Sequence, residues 1–430
     1  MLVLLIFSVL VLLILLGFPI AVAMGLTAVG FFLGLGEPRM IGAMAQRMYS
    51  AVSSFPLLAI PFFILAGNLM NIGGMTDRIF LFARTLVGHV RGGLAHVSVL
   101  ASMLFAGVSG AALAEAMGLG VIEIKAMKDG GIDQTFAGAV VASSSTIGPV
   151  IPPSIPMVIY GALAEVSVGA LFLGGVIPGV LMGIGIMIVI YIISVKRGYP
   201  AERRATLMQV FRAGFDGVLG LLAPGIIMGG ILGGVFTPTE AAVAAVLYAL
   251  IVGAIVYREL DLTRLATVLW ETVDQTVRVM FIIAAAGMFG WLLIYIRAPQ
   301  EIVEALTALT SSPVVILLIF NIILLILGCF MEGIAIMLLT VPIFMPVLSK
   351  FGIDPVHFGV VMTLNLMIGL LTPPVGMVLY AVSTIANVPV VRLARELVPF
   401  MLVLGVVLML ITYVPALVTW LPGVVMGGAR

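Results

Sequence analysis

Long apolar runs separated by short polar stretches organise the chain, and they come in two kinds. Some are uninterrupted and long enough to cross a bilayer as a helix, which takes about 20 residues. Others are broken by glycine, proline or an acid. Met1 to Leu16 meets Gly17-Phe18-Pro19 and resumes from Ile20 to Leu35, predicting two short spans joined near Pro19. No basic residue precedes the first run, which argues against a cleaved leader. Glu37 to Ser50 reads as a polar connection and Ala51 to Gly73 as a third span, so residues 1–73 form the first scaffold unit. Residues 75–91 mix Asp77, Arg78, Arg84, His89 and Arg91 with apolar positions, the pattern of an arm helix lying in the membrane interface. Residues 94–128 are apolar but interrupted by Gly107, Ser109, Gly110, Gly118 and Gly120, with Glu115 inside, which predicts a hairpin that dips in and returns. A broken span over 135–163 follows, because Gly148, Pro149, Pro152, Pro153 and Pro156 forbid a continuous helix. An ordinary span over 168–195 ends this half.

The second half repeats the first. A basic linker, 196–215, leads into scaffold spans within 216–295, the third of them Val279 to Tyr295, an arm helix at 299–309, a hairpin over 314–348 holding Glu332, a broken span over 358–386 and a last span over 399–422. Gly17-Phe18-Pro19 is echoed by Val235-Phe236-Thr237-Pro238, and TIGPVIPPSIPMVIY (Thr146 to Tyr160) by MIGLLTPPVGMVLY (Met367 to Tyr380), with one offset relating Gly148 to Gly369 and Pro152 to Pro373. Each half crosses the membrane five times, an odd number, so the second repeat, 216–430, is inverted relative to the first, 1–195. The basic cluster of Lys196, Arg197, Arg203, Arg204 and Arg212 is placed in the cytoplasm by the positive-inside rule. Fifteen of the 20 basic residues then fall inside and both termini outside.

Composition agrees with a membrane protein: 63% hydrophobic, 9% charged and a mean hydropathy of +1.32, against about a quarter charged in soluble domains. Twenty basic and 19 acidic residues leave no excess charge for nucleic acid, and the one cysteine, Cys329, cannot make an internal disulfide. The three histidines form no close-spaced ligand pair and no phosphate-binding glycine loop is present, which argues against metal hydrolysis and ATP hydrolysis.

Candidate chemistry gathers at the two breaks. Broken helices leave carbonyls free at one end and amides at the other, suited to Na⁺ and to a carboxylate respectively. Ser143, Ser144, Ser145 and Thr146 add hydroxyls at the first break, and Asn365 and Thr372 lie near the second. The alternative for such hydroxyls is bonding back onto their own helix. Glu115 and Glu332 in the hairpins are expected to mark an ion or proton path. Glu240, after Thr237-Pro238-Thr239, reads instead as part of a helix cap.

STIGPVIPPSIPMVIYG (Ser145 to Gly161), GVFTPTEAAVAAVLYAL (Gly234 to Leu250), FPLLAIPFFILAGNLM (Phe55 to Met70) and LNLMIGLLTPPVGMVLY (Leu364 to Tyr380) resemble the large membrane subunit of tripartite ATP-independent periplasmic (TRAP) transporters over essentially the whole chain. The resemblance implies an all-α polytopic fold, an inverted-repeat, elevator-type transporter with two re-entrant hairpins and two broken transmembrane helices. It further implies a bacterial inner-membrane protein, not an enzyme, that imports a small organic acid on the Na⁺ gradient, with no cofactor besides that ion. Its partners would be a small four-span membrane subunit and a periplasmic substrate-binding protein. By this analogy one Na⁺ sits between Ser109 and the backbone near Gly148, Ile151 and Pro153, and a second between Gly333 and Gly369 with Thr372. One departure stands out. Where the family reads Ser-Gly-Ser-Ser, a small residue, Ala and Asp, this chain has Ser109-Gly110-Ala111-Ala112-Leu113-Ala114-Glu115, which implies an altered solute class or weaker ion coupling. Other readings are proton coupling through Glu115 and Glu332, an intramembrane enzyme with Ser109 or Ser145 as nucleophile, and a passive channel.

Overall fold

The computed structural model describes residues 2–427, the side chains of residues 107–109 excepted, and among these every regular element is helical. The first half comprises α1 (Leu2–Leu15), α2 (Ile20–Gly34), α3 (Arg39–Val52), α4 (Ala59–Ile72), α5 (Met75–Val87), α6 (Gly93–Ser109), α7 (Ala112–Asp129), α8 (Gln134–Ser145), α9 (Ile155–Ala164) and α10 (Val168–Arg197). The second comprises α11 (Leu207–Leu232), α12 (Pro238–Ile251), α13 (Leu262–Tyr295), α14 (Ala298–Leu309), α15 (Pro313–Gly328), α16 (Gly333–Phe351), α17 (Pro355–Gly369), α18 (Met377–Ile385), α19 (Val390–Tyr413) and α20 (Ala416–Val425). Seven helical segments are long and apolar enough to span a bilayer, the mark of a multi-pass membrane protein. Both hairpins, α6/α7 and α15/α16, and both broken spans, α8/α9 and α17/α18, stand where the interruptions predict them.

Four boundaries differ from the sequence reading. The supposed polar connection from Glu37 to Ser50 is helix α3, because Met40, Ile41, Met44, Met48 and Val52 recur at helical spacing and pack into the core. Its counterpart is the first part of α13, a 34-residue helix that begins at Leu262, well before Val279, behind an Asp261 cap. In the first half the same length is cut between α3 and α4 by a 3₁₀ turn, Phe55–Leu58, where Pro56 has no amide to donate. The linker is shorter than 196–215, since α10 runs to Arg197 and Thr206 with Gln209 opens α11 by a reciprocal cap. The last span begins at Val390 and stops before Pro415. Glu396 in its early turns, beside Arg392 and Arg395, is tied to Arg197 at 2.6 Å, a polar anchor at the end of the helix.

Two bodies result. The scaffold packs α4 against α12 and α13, and α13 against α2 and α3. The other body interleaves the repeats: α7 packs on α8 and on α18, while α16 packs on α17 and on α9. Two hydrogen bonds secure this exchange, Tyr160 Oη to the Pro355 carbonyl (2.7 Å) and Gln134 Nε2 to the Ala386 carbonyl (2.5 Å). Each broken span therefore ends beside the start of the other. Glycine permits the closest approach. On α10 a row at four-residue spacing faces this body, with Gly175 against the Val150 carbonyl, Gly179 against Ile151 and Gly183 against Met103. The arms α5 and α14 connect the bodies, α5 touching α6 and α11, α14 touching α16 and α13. The inter-repeat linker clips onto the first elbow, where Glu202 pairs with Arg84 at 2.6 Å and Gly92 donates to the Pro200 carbonyl at 3.0 Å.

Glu240 closes a capping box at α12, accepting from the Thr237 amide at 2.8 Å and hydroxyl at 2.9 Å, as its position after Pro238 suggests. Glu240→Ala, which removes both bonds, is expected to lower the melting midpoint in detergent, and melting curves of the two proteins check it.

Candidate functional site

Both breaks are capped by a hairpin tip. The first break, residues 146–154, receives the turn between α6 and α7. A Cβ on Gly110 there, at φ 55°, would come 3.1 Å from the Ile155 amide and 3.3 Å from the Pro153 carbonyl. At the second break, residues 370–376, Gly328 lies so close that its Cβ would stand 2.9 Å from the Gly369 Cα. The carbonyl of Cys329 then takes the amides of Val375 (3.1 Å) and Gly376 (3.4 Å). The Pro152–Pro153 and Pro373–Pro374 peptide bonds, at matching places in the two breaks, are both cis.

The residues singled out from the sequence divide into groups. Gly148, Ile151 and Pro153 form the first break, while Gly333, Gly369 and Thr372 gather where α16 begins and α17 ends. Gly333 faces Leu366 of α17, and Thr372 donates to the Ile368 carbonyl at 2.8 Å. The side chain of Ser109 lies outside the described residues. The hydroxyls of Ser143, Ser144, Ser145 and Thr146 are buried and each donates to a carbonyl three or four residues back, at 2.8, 3.2, 3.0 and 2.6 Å. Their protons are thus committed to their own helix, and their lone pairs are what they can offer a cation. Asn365 points away from the tips, donating to the Asn321 Oδ1 (2.8 Å), while Asn321 donates to Thr412 (3.0 Å), a polar chain joining α17, α15 and α19. Glu332 caps α16 by accepting from the Ala335 amide at 3.3 Å.

Glu115 is different. Its side chain is buried, with 3% exposed, neither oxygen has a hydrogen-bond partner, and it rests against Gly148 of the break. It also lines a cavity of about 60 Å³ between the bodies. Ile64, Gly67, Asn68 and Asn71 of α4 and Gln275 of α13 form the scaffold wall; Phe105, Ala111, Ala114, Glu115, Gly118, Leu119 and Ile155 form the opposite one. Ala111, where the resemblance leads one to expect a serine, is thus a wall residue. The carboxamides of Asn68, Asn71 and Gln275 escape the sequence reading because the first two lie in an apolar run and the third in a polar stretch some 200 residues away, and only folding brings α4 and α13 together. Glu123, close to Lys125 and Lys128 in the sequence, is not singled out there; it is buried and accepts from Ser98 at 2.6 Å. A space this size holds an ion or a few waters. Anything of several carbons would enter only if the walls parted, and the walls belong to different bodies.

Residues 7–417 match the family model described as the DctM component of the tripartite ATP-independent periplasmic transporter. The chain is 45% identical over 411 residues to the sialic acid TRAP transporter large permease protein SiaM of Vibrio cholerae, covering 96% of each. It is 43% identical over 388 residues to the C4-dicarboxylate TRAP transporter large permease protein DctM of Pseudomonas aeruginosa, covering 90% of this chain and 91% of that protein. Among solved structures, the YdaH transporter of Alcanivorax borkumensis, described as having an unusual topology, superposes with a TM-score of 0.60 at 15% identity, over 92% of this chain and 90% of that one, a likeness of fold.

Gly328→Ala tests the seating of the second tip. Its Cβ meets backbone rather than a movable side chain, so it should cost about 1–3 kcal/mol, read as a lower melting midpoint in detergent. Gly333→Ala, whose Cβ would meet Leu366 at 3.5 Å, an ordinary contact, is expected to melt close to the parent.

Proposed function

The chain belongs to the DctM-component family of tripartite ATP-independent periplasmic transporters, and from that premise we propose that it is the large permease of a Na⁺-driven importer of a small organic acid. The named substrates of its relatives, sialic acid and C4-dicarboxylates, are both organic acids. A periplasmic binding protein would deliver the solute and a small four-span membrane subunit would complete the complex in the bacterial inner membrane, with both termini of this chain in the periplasm. Movement would be of the elevator kind, the hairpins and broken spans sliding as one unit against the scaffold. The observation that carries this reading is the cavity: about 60 Å³, with one wall on each body.

In this reading one Na⁺ binds at the first tip, with Ser109 and the backbone of Gly148, Ile151 and Pro153, and another at the second, with Gly333, Gly369 and Thr372. Paired tip and break suit that role because broken helices present carbonyls without giving up the bilayer's demand that backbone groups be satisfied. Ser143 to Thr146, with lone pairs free, and Glu115 contribute to solute or ion binding at the first site. Glu332 and Asn365 serve the second half through the positions of the second tip and of α17. Domain boundaries follow the two inverted repeats, joined by the linker that clips onto α5. Proton coupling through Glu115 and Glu332 is the second reading; it draws on the unpartnered Glu115, while the Glu332 carboxylate is already engaged as a cap.

Proteoliposomes holding both membrane subunits and supplied with the binding protein are expected to accumulate solute when a Na⁺ gradient is imposed at fixed pH, and not without the binding protein. Uptake that follows a pH gradient with Na⁺ absent would instead favour the second reading. In the same assay, Ala111→Ser with Ala112→Ser is expected to alter solute range or Na⁺ dependence, since Ala111 lines the cavity.

A further inference from the structure

We propose that a cleft where the inter-repeat linker meets the first arm binds the headgroup of an anionic phospholipid, with an acyl chain laid along α11. Such a site is independent of the ion that drives uptake.

The cleft has a volume of about 360 Å³ and is lined by Thr85 and Leu86 of α5, His89 of the elbow that follows, Arg204 and Ala205 of the linker, and Val210 of α11. No acid is among these residues. The arginines at this end of the molecule differ in what they hold. Arg84 grips Glu202 through two nitrogens, at 2.6 to 3.1 Å, and Arg197 takes Glu396 at 2.6 Å. Arg204 and His89 make no hydrogen bond or ion pair with any described residue. Glu202 is the linker's one acid and is already spent; the others on these elements are Asp77, eight residues before Thr85, and Asp216, six beyond Val210. The charge in the cleft is thus left for something outside the chain.

A phosphodiester suits that set of groups. Its single charge and two free oxygens match the planar fork of a guanidinium, which can take both in parallel, and the His89 imidazole adds a further donor. Leu86 and Val210 give the carbons beside the phosphate an apolar wall.

The surroundings favour a lipid over a free phosphate. Helix α11 has 26 residues, about 39 Å at 1.5 Å per residue, against a hydrocarbon core of about 30 Å. Its first turns, which carry Val210, therefore stand at the level of the headgroups. From there Leu207, Met208, Phe211 and Phe215, each at least 74% exposed, continue through Val218 and Leu222 as one stripe down the helix. That stripe begins three residues after Arg204, so a chain lying on it brings its phosphate to the cleft. Arg203 and Arg212, both exposed, add attraction for an anionic leaflet. The cleft also adjoins the Arg84–Glu202 clip at the elbow between α5 and α6, so a bound headgroup ties arm to linker where the two bodies join.

The test follows melting of the purified full-length chain in a non-ionic detergent as dioleoyl phosphatidylglycerol is added, with dioleoyl phosphatidylcholine and inorganic phosphate as separate arms at fixed pH and ionic strength. Phosphatidylglycerol is expected to raise the midpoint to a plateau, and the other two are not. Arg204→Gln should raise the half-effect concentration about tenfold, the scale of a lost hydrogen bond to a charged group, while Arg203→Gln, outside the cleft, should shift it far less. Ala205→Trp, which fills the cleft and keeps every charge, should remove the plateau; it decides the matter if Arg204→Gln does not fold. Equal shifts from Arg203→Gln and Arg204→Gln, or a parent-like response from Ala205→Trp, overturn the site in favour of a diffuse basic surface. A parent that responds equally to phosphatidylcholine has only an ordinary lipid-facing stripe, and one that responds equally to inorganic phosphate has a phosphate site; either result overturns the lipid assignment.

Discussion

Unpaired backbone polar groups cannot face lipid, where each costs several kcal/mol, and this constraint shapes the whole molecule. Two broken spans create such groups at membrane depth, so each break must be covered. The hairpin tips cover them, with Gly110 on Pro153 and Ile155, and Cys329 on Val375 and Gly376. Exchange of half-helices between the repeats, locked by Tyr160 on Pro355 and Gln134 on Ala386, makes the four elements one unit. What remains, α4, α12, α13 and their neighbours, can serve as a frame because it shares few obligatory polar contacts with that unit.

The repeats are alike in fold and unlike in chemistry. Proline at 149 against leucine at 370 decides whether a helix-end carbonyl is free; of the two hairpin acids, Glu115 has no hydrogen-bond partner and Glu332 caps α16. One break thus keeps an unbonded carbonyl near an unpartnered acid, and the other has its backbone closed on itself.

Much of this architecture is legible in the sequence, because glycine and proline at 107–120, 148–156, 328–346 and 369–376 cannot belong to plain spanning helices. The cap at Glu240 is legible for the same kind of reason, a short-range rule with a fixed spacing. Helix α3 is not, because its amphipathic stripe resembles a polar loop until α13 provides a surface for it. The hydroxyls of Ser143 to Thr146 were found by position, but which way they bond depends on helix geometry that a string of letters does not carry. The cavity wall of Asn68, Asn71 and Gln275 depends on contact between residues some 200 apart in the chain, where Asn68 of α4 reaches Thr272 of α13, and no local pattern announces it.

Relative movement of the two bodies across that cavity is the central claim, and a reversible bridge between them tests it most directly. A Cβ on Gly118 of α7 would lie 3.4 Å from Asn71 Nδ2 of α4. With Cys329 replaced by serine, cysteines at 71 and 118 can be oxidised to join the two bodies. Solute uptake should stop on oxidation and return on reduction. A bridged protein that transports at the unbridged rate would contradict the account.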